Sequence, residues 1–325
     1  MKNCVRSYLL NAVAVAVFAC ASFTGTQAQV KYEIGISAGP SNFLGDLGGN
    51  QGIGRPFIKD NNIELTRIMW GAYFEVSPAN YVAFRASFNI GRLEGADSVI
   101  NRKGGLENAR SDRDQHFRSP LTEFMITGEF YPTVFLEQDP DDVWHKFRPY
   151  ALIGVGVFRF NPRGQYIDPN GRASWVDLKP LRTEGQGMPN YPNRKEYSLT
   201  QISIPYGIGI KYFFNERFTA SLEIVNRKTF TDYIDDVSTT YVSDQDFYDY
   251  FGAGSVTADI ARQMANKAAY NNGGNYLPSY EPGKKRGTAT NNDAYYATVV
   301  KVGYRFGGDG ERRFRNNTRC PVIRF

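Results

Sequence analysis

The sequence predicts an all-β fold, an eight-stranded antiparallel transmembrane β-barrel with long extracellular loops. Apolar and polar residues alternate with a period of two over segments of about ten residues. Aromatic residues stand near the ends of these segments, as in the interfacial girdles of membrane barrels, and the chain has 21 Tyr and 23 Phe among 325 residues. The connections between segments are alternately long and short, as a barrel with two unlike ends requires.

Eight segments carry the alternation, and each can supply the ~9–11 residues of a tilted membrane strand. They are Lys31–Leu44, Thr66–Val76, Tyr81–Leu93, Pro120–Tyr131, Arg148–Asn161, Leu199–Phe213, Arg217–Thr231 and Ala294–Phe306. In the third segment Phe84 and Phe88 share one face and Arg85 lies on the other. The fifth segment is apolar on both faces, so its facing is left open. Pro205 lies on the polar face of the sixth segment and predicts a bulge or kink there, because proline has no N–H for the ladder.

The lengths of the connections predict an orientation. If the N-terminus lies in the periplasm, every second connection returns there and should be short. Ser77–Asn80 and Asn215–Glu216 are short, whereas Pro132–Phe147 is longer and acidic in its middle. The other four connections, near residues 45–65, 94–119, 162–198 and 232–293, are all long. We therefore expect an integral outer-membrane protein with periplasmic N- and C-termini.

A soluble β-sandwich is the alternative, since its strands also alternate. A sandwich buries its apolar face and rarely needs Phe or Tyr near both ends of most strands. The girdle and the alternation together favour the barrel.

Residues 1–28 read as a signal peptide. Lys2 and Arg6 form a basic start, Leu9–Cys20 is an apolar run, and Ala28 precedes a plausible cleavage site. The run is shorter than the roughly 20 residues of a spanning helix. Cys20 also stands in a weak lipobox, so lipidation is an alternative to ordinary cleavage. We expect the barrel to occupy residues 29–306 and a basic periplasmic tail to occupy residues 307–325.

Charge and cysteine content exclude several classes. Removal of Lys2 and Arg6 lowers the net charge from +5 to about +3, too little to indicate a nucleic-acid partner. Cys320 is then the remaining cysteine, so no disulfide framework is expected. In the tail, Arg312, Arg313 and Arg315 are candidates for contact with a periplasmic partner or with inner-leaflet lipid phosphates, and a disordered tail is the slightly preferred interpretation.

The inward faces of the predicted strands carry both signs of charge. The candidate interior network is Glu33, Glu75, Arg85, Glu123, Glu129, Lys211, Glu223, Arg227, Lys301 and Arg305. An eight-stranded barrel is only wide enough for side chains. Buried charges are tolerated when paired, so five acids facing five bases predict a salt-bridged plug that does not conduct.

No residue pattern indicates catalysis, a cofactor, a metal or a small-molecule substrate. The sequence has two histidines, and the predicted topology places His116 outside and His145 in the periplasm, too far apart for a dyad. His116 beside Ser111 and Asp112 is a weak candidate for a rim enzyme. We therefore expect a protein that is not an enzyme.

Two features of the last long loop allow alternatives. Asp232, Asp235 and Asp236 would supply oxygens to Ca²⁺, but their spacing matches no known loop, and a solvated rim or turn is the preferred interpretation. The segment Val256–Ala269 predicts an amphipathic helix, since apolar residues recur at every fourth position. It would serve as a lid over the barrel mouth or as a docking surface, with the lid preferred.

Four strings resemble one family. They are Gly39–Leu47 (GPSNFLGDL), Trp175–Gly187 (WVDLKPLRTEGQG), Tyr197–Tyr212 (YSLTQISIPYGIGIKY) and Arg227–Tyr241 (RKTFTDYIDDVSTTY). Together they are similar to the PorG-like outer-membrane β-barrel proteins of the Bacteroidetes. The resemblance covers nearly all of the mature chain, and the last long loop and the tail with Cys320 match least.

The resemblance implies a role in the type IX secretion system, which exports folded cargo across the outer membrane and is linked to gliding motility. It implies a non-enzymatic component that anchors or positions a periplasmic ring made of a lipoprotein and its partner. The expected partners are thus outer-membrane lipids and these ring proteins. The alternative is a general OmpA/OmpX-like structural or adhesive outer-membrane barrel.

Overall fold

The computed structural model describes residues 30–47, 63–100, 111–137 and 143–307. The predicted signal peptide and most of the predicted tail lie outside these ranges. The strands are β1 (Lys31–Leu44), β2 (Arg67–Ala79), β3 (Val82–Ala96), β4 (His116–Phe130), β5 (Phe147–Phe160), β6 (Arg163–Ile167), β7 (Ala173–Asp177), β8 (Thr200–Phe213), β9 (Phe218–Thr229) and β10 (Ala294–Phe306).

Eight of these strands close into an antiparallel barrel. The order is β3-β2-β1-β10-β9-β8-β5-β4, and a further pairing between β3 and β4 completes the ring. The closing ladder is long and regular, from Val82 opposite Phe130 to Ala96 opposite His116. Closure leaves no barrel strand with an unpaired edge, which is what a bilayer interior demands of a β-protein. The predicted fold class is therefore confirmed.

All eight predicted strands are present, two of them, β1 and β10, with the predicted bounds. The largest difference is at the end with long connections, where β3 continues to Ala96 and β4 begins at His116. The barrel strands have 12 to 15 residues, more than the ~9–11 that cross a bilayer. Part of the sheet thus projects beyond the membrane at that end.

The hairpin of β6 and β7 was not predicted. Arg163 pairs with Asp177 in this hairpin, and Phe117 of β4 pairs with Gly164, so the hairpin extends the sheet above the barrel. The Asp-Pro-Asn-Gly sequence from residue 168 to 171 is a hairpin signal that would have predicted it. Gly171 has a φ of 78°, the left-handed conformation that such turns require.

The outer face of the barrel is a belt of apolar side chains. Its exposed members include Ile34, Ile36, Trp70, Phe74, Phe84, Phe88, Phe124, Ile126, Ile153, Val155, Ile202, Ile208, Ile210, Leu222, Val300 and Val302. An exposed apolar surface of this extent is typical of a membrane-spanning barrel. The structure also decides the facing of β5, which puts Tyr150, Leu152 and Phe158 inside and Ile153 and Val155 outside.

Pro205 does not produce the expected bulge. The register of β8 is the same on both sides of Pro205, with Gly156 opposite Ser203 and Ile153 opposite Tyr206. Pairing with β5 is interrupted between these positions, while pairing with β9 continues through Pro205. Because proline lacks an N–H, the pairing of β8 with β5 is interrupted locally, but the register of β8 does not change.

Within the described ranges, the helices outside the strands include α1 (Val143–Lys146), α2 (Asp244–Phe251), α3 (Val256–Ala265) and α4 (Lys267–Asn271). Short 3-10 helices cover Ile63–Leu65, Asp97–Val99, Pro132–Leu136, Lys179–Leu181 and Pro278–Tyr280. Among the residues described, none of the helices has the length and hydropathy needed to span a membrane.

The strand directions give the barrel two unlike ends. At one end, which we call the turn end, lie Val30, Gly307 and the connections after β2, β4 and β8. At the other end, the cap end, the connections after β1, β3, β5 and β9 are long, and those after β5 and β9 are folded into helices and the β6–β7 hairpin.

Candidate functional site: a filled barrel interior and an ordered cap

The barrel interior near the turn end holds a lysine between two glutamates. The Lys211 ammonium nitrogen lies 2.6 Å from a carboxylate oxygen of Glu75 and 3.0 Å from one of Glu33. The Tyr73 hydroxyl donates a hydrogen bond of 2.8 Å to Glu33. Alternation brings these side chains together, because Glu33 and Glu75 are direct cross-strand partners on the inner face.

A second charged group lies one layer further in. The Arg85 guanidinium contacts Glu129 at 2.6 Å and Glu223 at 2.9 Å, and the Lys301 ammonium contacts Glu223 at 3.0 Å. The Tyr150 hydroxyl donates a 2.7 Å hydrogen bond to Glu223. Each carboxylate thus has a charged partner, as low-dielectric surroundings require.

A third group surrounds Glu123. Arg227 contacts this carboxylate at 2.8 Å, and the Tyr295 hydroxyl and the Asn89 amide donate hydrogen bonds of 2.7 and 2.9 Å to it. Four strands, β3, β4, β9 and β10, supply these side chains. The network therefore joins opposite walls of the barrel.

Glycines on the inner wall make room for the buried tyrosines. A Cβ atom at Gly209 would lie 2.5 Å from the Tyr150 ring, and one at Gly303 would lie 2.4 Å from Glu33 and 2.5 Å from the Tyr73 hydroxyl. All three distances are far below normal carbon contacts, so these positions accept no side chain while the tyrosines stay in place. The glycines in the strands are part of how the interior is filled.

All ten residues of the predicted network point into the barrel. Nine of them are buried, and the Arg305 side chain is 15% exposed with its Nε atom 3.8 Å from Glu33. Since Arg305 stands at the turn end, it contacts the network only at its rim. The predicted set omits the tyrosines at positions 73, 150 and 295. Tyr73 stands near a segment end and was assigned to the girdle, whereas the facing of Tyr150 was left open and Tyr295 had no assigned role.

Above the charged layers, towards the cap end, the interior is apolar. Phe117, Phe158, Phe160 and Tyr295 pack there with smaller aliphatic side chains from β2, β3, β4 and β10. Ile234 and Val237 belong to the same cluster and have no exposed surface, although they come from the long connection after β9. This connection therefore enters the barrel mouth and closes it.

The burial of this connection corrects one interpretation. Asp232, Asp235 and Asp236 were expected at a solvated rim, yet they have relative exposures of 6%, 0% and 0%. Burial raises the pKa of Asp232 to about 7 and that of Asp236 to about 6. The sequence suggested water-facing residues because they are polar, but apolar neighbours at Ile234 and Val237 hold the segment inside.

Two buried arginines tie the long connections into a cap. Arg113 contacts Asp97 at 2.7 Å and donates to the backbone carbonyls of Asp46 and Arg286. Arg286 contacts Glu184 at 2.8 Å. Since Asp46, Asp97, Glu184 and Arg286 belong to the four long connections, these pairs join all of them.

The sequence did not reveal this arginine pair or its acidic partners. Arg113, Asp97, Glu184 and Arg286 are single charged residues in long polar loops, and no spacing or motif distinguishes them. Only their burial, with exposures from 0% to 6%, marks them as structural.

The predicted helix Val256–Ala269 is two helices, α3 and α4, separated at Asn266. The Asn266 side chain accepts a hydrogen bond from the Ala269 N–H and so caps α4, which ends α3 one residue earlier. Ala261 and Met264 of α3 are buried against Leu178 and Phe247, whereas Val256 is 71% exposed. The apolar face therefore packs inwards at Ala261, Met264 and Ala265 but not at Val256, and the helix packs into the cap as one of its core elements.

The two histidines lie at opposite ends of the barrel. His116 Nε2 lies 2.8 Å from Glu94 at the cap end, and its ring stacks edge-on against Trp175. His145 Nδ1 lies 3.2 Å from Glu137 at the turn end. Within the described ranges, no three His, Cys, Asp or Glu side chains form a ready metal-ligand set. The tail candidates Arg312, Arg313 and Arg315 lie outside the described residues.

Three solved outer-membrane proteins illustrate the structural similarities of the chain. Ail, the attachment invasion locus protein of Yersinia pestis, is 10% identical, with 86% of this chain and 98% of that chain covered and a TM-score of 0.34. Neisserial surface protein A is 9% identical, with coverages of 85% and 97% and a TM-score of 0.35. OprG of Pseudomonas aeruginosa is 12% identical, with coverages of 86% and 95% and a TM-score of 0.29. At these identities the similarities say nothing about activity.

Sequence comparison gives a family. No curated protein sequence matches the chain. A family model described as a domain of unknown function, DUF6089, matches residues 11–259. Because this match covers more than half of the 325 residues, the chain belongs to the DUF6089 family.

Proposed function

We propose that this protein is a non-conducting, non-enzymatic outer-membrane barrel that acts through its two ends as a membrane-anchored structural component. The observation that carries the proposal is the filled interior. Charged groups are paired across the barrel near the turn end, and aromatic residues close it near the cap end. A solute pore needs a continuous polar path, and the packed layers oppose one.

The folded cap supports the same conclusion. Its connections enclose a second apolar cluster, with Leu178, Met188, Val242 and Phe247 at its centre. Buried ion pairs and a packed core hold the cap in one arrangement over the mouth. Such a cap offers a stable exterior surface for structural or adhesive contacts, and it also blocks entry to the barrel.

Conductance in planar bilayers tests the non-conducting barrel. The purified protein should give no steady single-channel currents at neutral pH, and proteolysis of reconstituted vesicles should verify that it is inserted. A porin in the same bilayers serves as the positive control. Steady unitary currents from the inserted protein would overturn the proposal.

The finer proposal is a role in the type IX secretion system. It is supported by the resemblance of Gly39–Leu47, Trp175–Gly187, Tyr197–Tyr212 and Arg227–Tyr241 to PorG-like proteins. In this role the turn end faces the periplasm and anchors or positions a ring made of a lipoprotein and its partner. The basic tail, with Arg312, Arg313 and Arg315, is the proposed contact, because its charge suits an acidic partner surface.

A gene deletion and a pull-down distinguish the secretion role from the more general role of a structural barrel. Loss of cargo export and gliding on deletion, with the ring proteins recovered from detergent-solubilised membranes, supports the secretion role. A variant with Arg312, Arg313 and Arg315 all changed to Ser should recover less of the ring while keeping the barrel assembled. Intact export and gliding after deletion would refute the secretion role and leave the general structural barrel.

A further inference from the structure

Four aspartates from the long connections after β1 and β9 meet inside the cap. Asp235 accepts hydrogen bonds of 3.0 Å from the backbone N–H groups of Leu47 and Val237. Asp293 accepts one of 2.8 Å from Ile234, and its own N–H donates to Thr231. These bonds place Asp46, next to Leu47, and Asp232, next to Thr231, beside the other two.

Several oxygen atoms in this aspartate cluster have no partner. Both carboxylate oxygens of Asp232 and Oδ1 of Asp293 are buried and make no hydrogen bond by distance and angle. The two side chains are 94% and 99% buried, as exposures of 6% and 1% show. The Ser238 hydroxyl lies near Asp232 and lowers its pKa slightly, but it does not satisfy either oxygen.

No basic side chain among the described residues neutralises the cluster. Among the described residues, none of the four aspartates forms an ion pair with Lys, Arg or His. Arg113 interacts electrostatically with Asp235, but its guanidinium is bound to Asp97 and to backbone carbonyls. Burial and repulsion from Asp46 and Asp232 raise the pKa of Asp235, and burial with repulsion from Asp235 and Asp232 raises that of Asp293.

We propose that the aspartate cluster (Asp46, Asp232, Asp235 and Asp293) binds a Ca²⁺ ion through the unpaired oxygens of Asp232 and Asp293. Unpaired buried carboxylates are costly, and a bound cation removes both the missing contacts and the repulsion. The ion lies between the connections after β1 and β9 and so fastens the cap over the barrel mouth.

Ca²⁺ fits this place better than a transition metal or Mg²⁺. The available ligands are oxygen atoms, and within the described ranges no His or Cys that would select zinc belongs to the cluster. The cluster is not a ready set of three carboxylate ligands, so backbone carbonyls, hydroxyls or water must complete the shell. Ca²⁺ accepts such flexible shells of 6–8 oxygens, whereas Mg²⁺ demands near-ideal octahedral geometry.

Calorimetric titration of CaCl₂ into the full chain, purified in detergent and first stripped with EDTA, tests the site. We expect one ion per chain and a rise in the thermal midpoint of the cap. The Asp232→Asn variant should weaken binding by at least about tenfold, since loss of even an outer-shell partner costs roughly 10–100-fold. Asn has nearly the same size as Asp and can still accept a hydrogen bond from the nearby Ser238 hydroxyl, so this variant should fold. Glu281→Gln, which removes an exposed carboxylate from the same end of the protein, is the matched control and should bind as the parent does.

Two outcomes would overturn the proposal. One is the absence of saturable binding up to millimolar Ca²⁺, the weak end of the range for extracellular sites. In that case protons neutralise the cluster, and infrared spectroscopy should show protonated carboxyls at neutral pH. The other is equal affinity in the Asp232→Asn and parent proteins, which would place the bound ion elsewhere on the chain.

Discussion

Replacement of Lys211 by Met removes the ammonium group that contacts both Glu33 and Glu75. The two contacts, of 3.0 and 2.6 Å, are buried, with 2% exposure on each side chain. Loss of one partner from a buried ion pair typically costs about 3–5 kcal/mol, because the remaining charge is left uncompensated. Met has a similar length, so little of this cost comes from a cavity. We expect a loss of about 3–5 kcal/mol in the free energy of unfolding.

Urea-induced unfolding of the protein in lipid vesicles, followed by tryptophan fluorescence, measures this change. Lys228→Met on β9 is the matched control, because Lys228 is exposed and its replacement should stay within about 0.5 kcal/mol. Adding Glu75→Gln to Lys211→Met should recover part of the loss, since one of the two uncompensated charges is then gone. Equal stabilities of the Lys211→Met and Lys228→Met proteins would refute the view that the network stabilises the barrel.

Three further predictions concern the interior and the cap. Gly209→Ala should destabilise the barrel by about 1–3 kcal/mol, because the new Cβ would overlap the Tyr150 ring, and the same unfolding assay checks it. Arg286→Met should make the cap susceptible to protease while the barrel stays protected, because Glu184 loses its buried partner; an uncleaved cap would contradict this. Without Ca²⁺, the stability of the cap should fall as the pH rises from about 4 to 7. Asp232 has its pKa raised from 3.8 to about 7 in the folded protein, so ionisation disfavours the fold over this window. Protection factors of the cap amides, which correct for the intrinsic rise of hydrogen exchange with pH, should therefore be lower at pH 7 than at pH 5.

The alternation of residues predicted the strands because a barrel wall repeats every second residue. In β3, Phe84 and Phe88 face outwards and Arg85 faces inwards, as the period-two pattern requires. The pattern did not predict which face of β5 lies inside. Both faces are apolar, and an apolar side chain fits either the lipid or the packed interior. Tyr150 and Phe158 lie inside only because of the pairing of β5 with its neighbours.

The acidic and basic residues on the strands could also be assigned to one face, but their partners could not. Arg85 and Glu223 are 138 positions apart and meet only because the barrel closes. The requirement for glycine at positions 209 and 303 could not be predicted either. It arises because tyrosines from other strands fill the space that a side chain there would occupy.

By itself, the sequence determined the number of strands in the barrel, their approximate bounds and the alternation of long and short connections. These properties are local, because the period of a strand and the length of a turn depend on residues that are neighbours in the sequence. The tertiary structure decided what the long connections do. Polarity predicted solvated loops around Asp232, whereas packing of Ile234 and Val237 into the mouth buried that segment and created both the cap and the aspartate cluster. Burial depends on contacts between distant parts of the chain, and no local pattern records it.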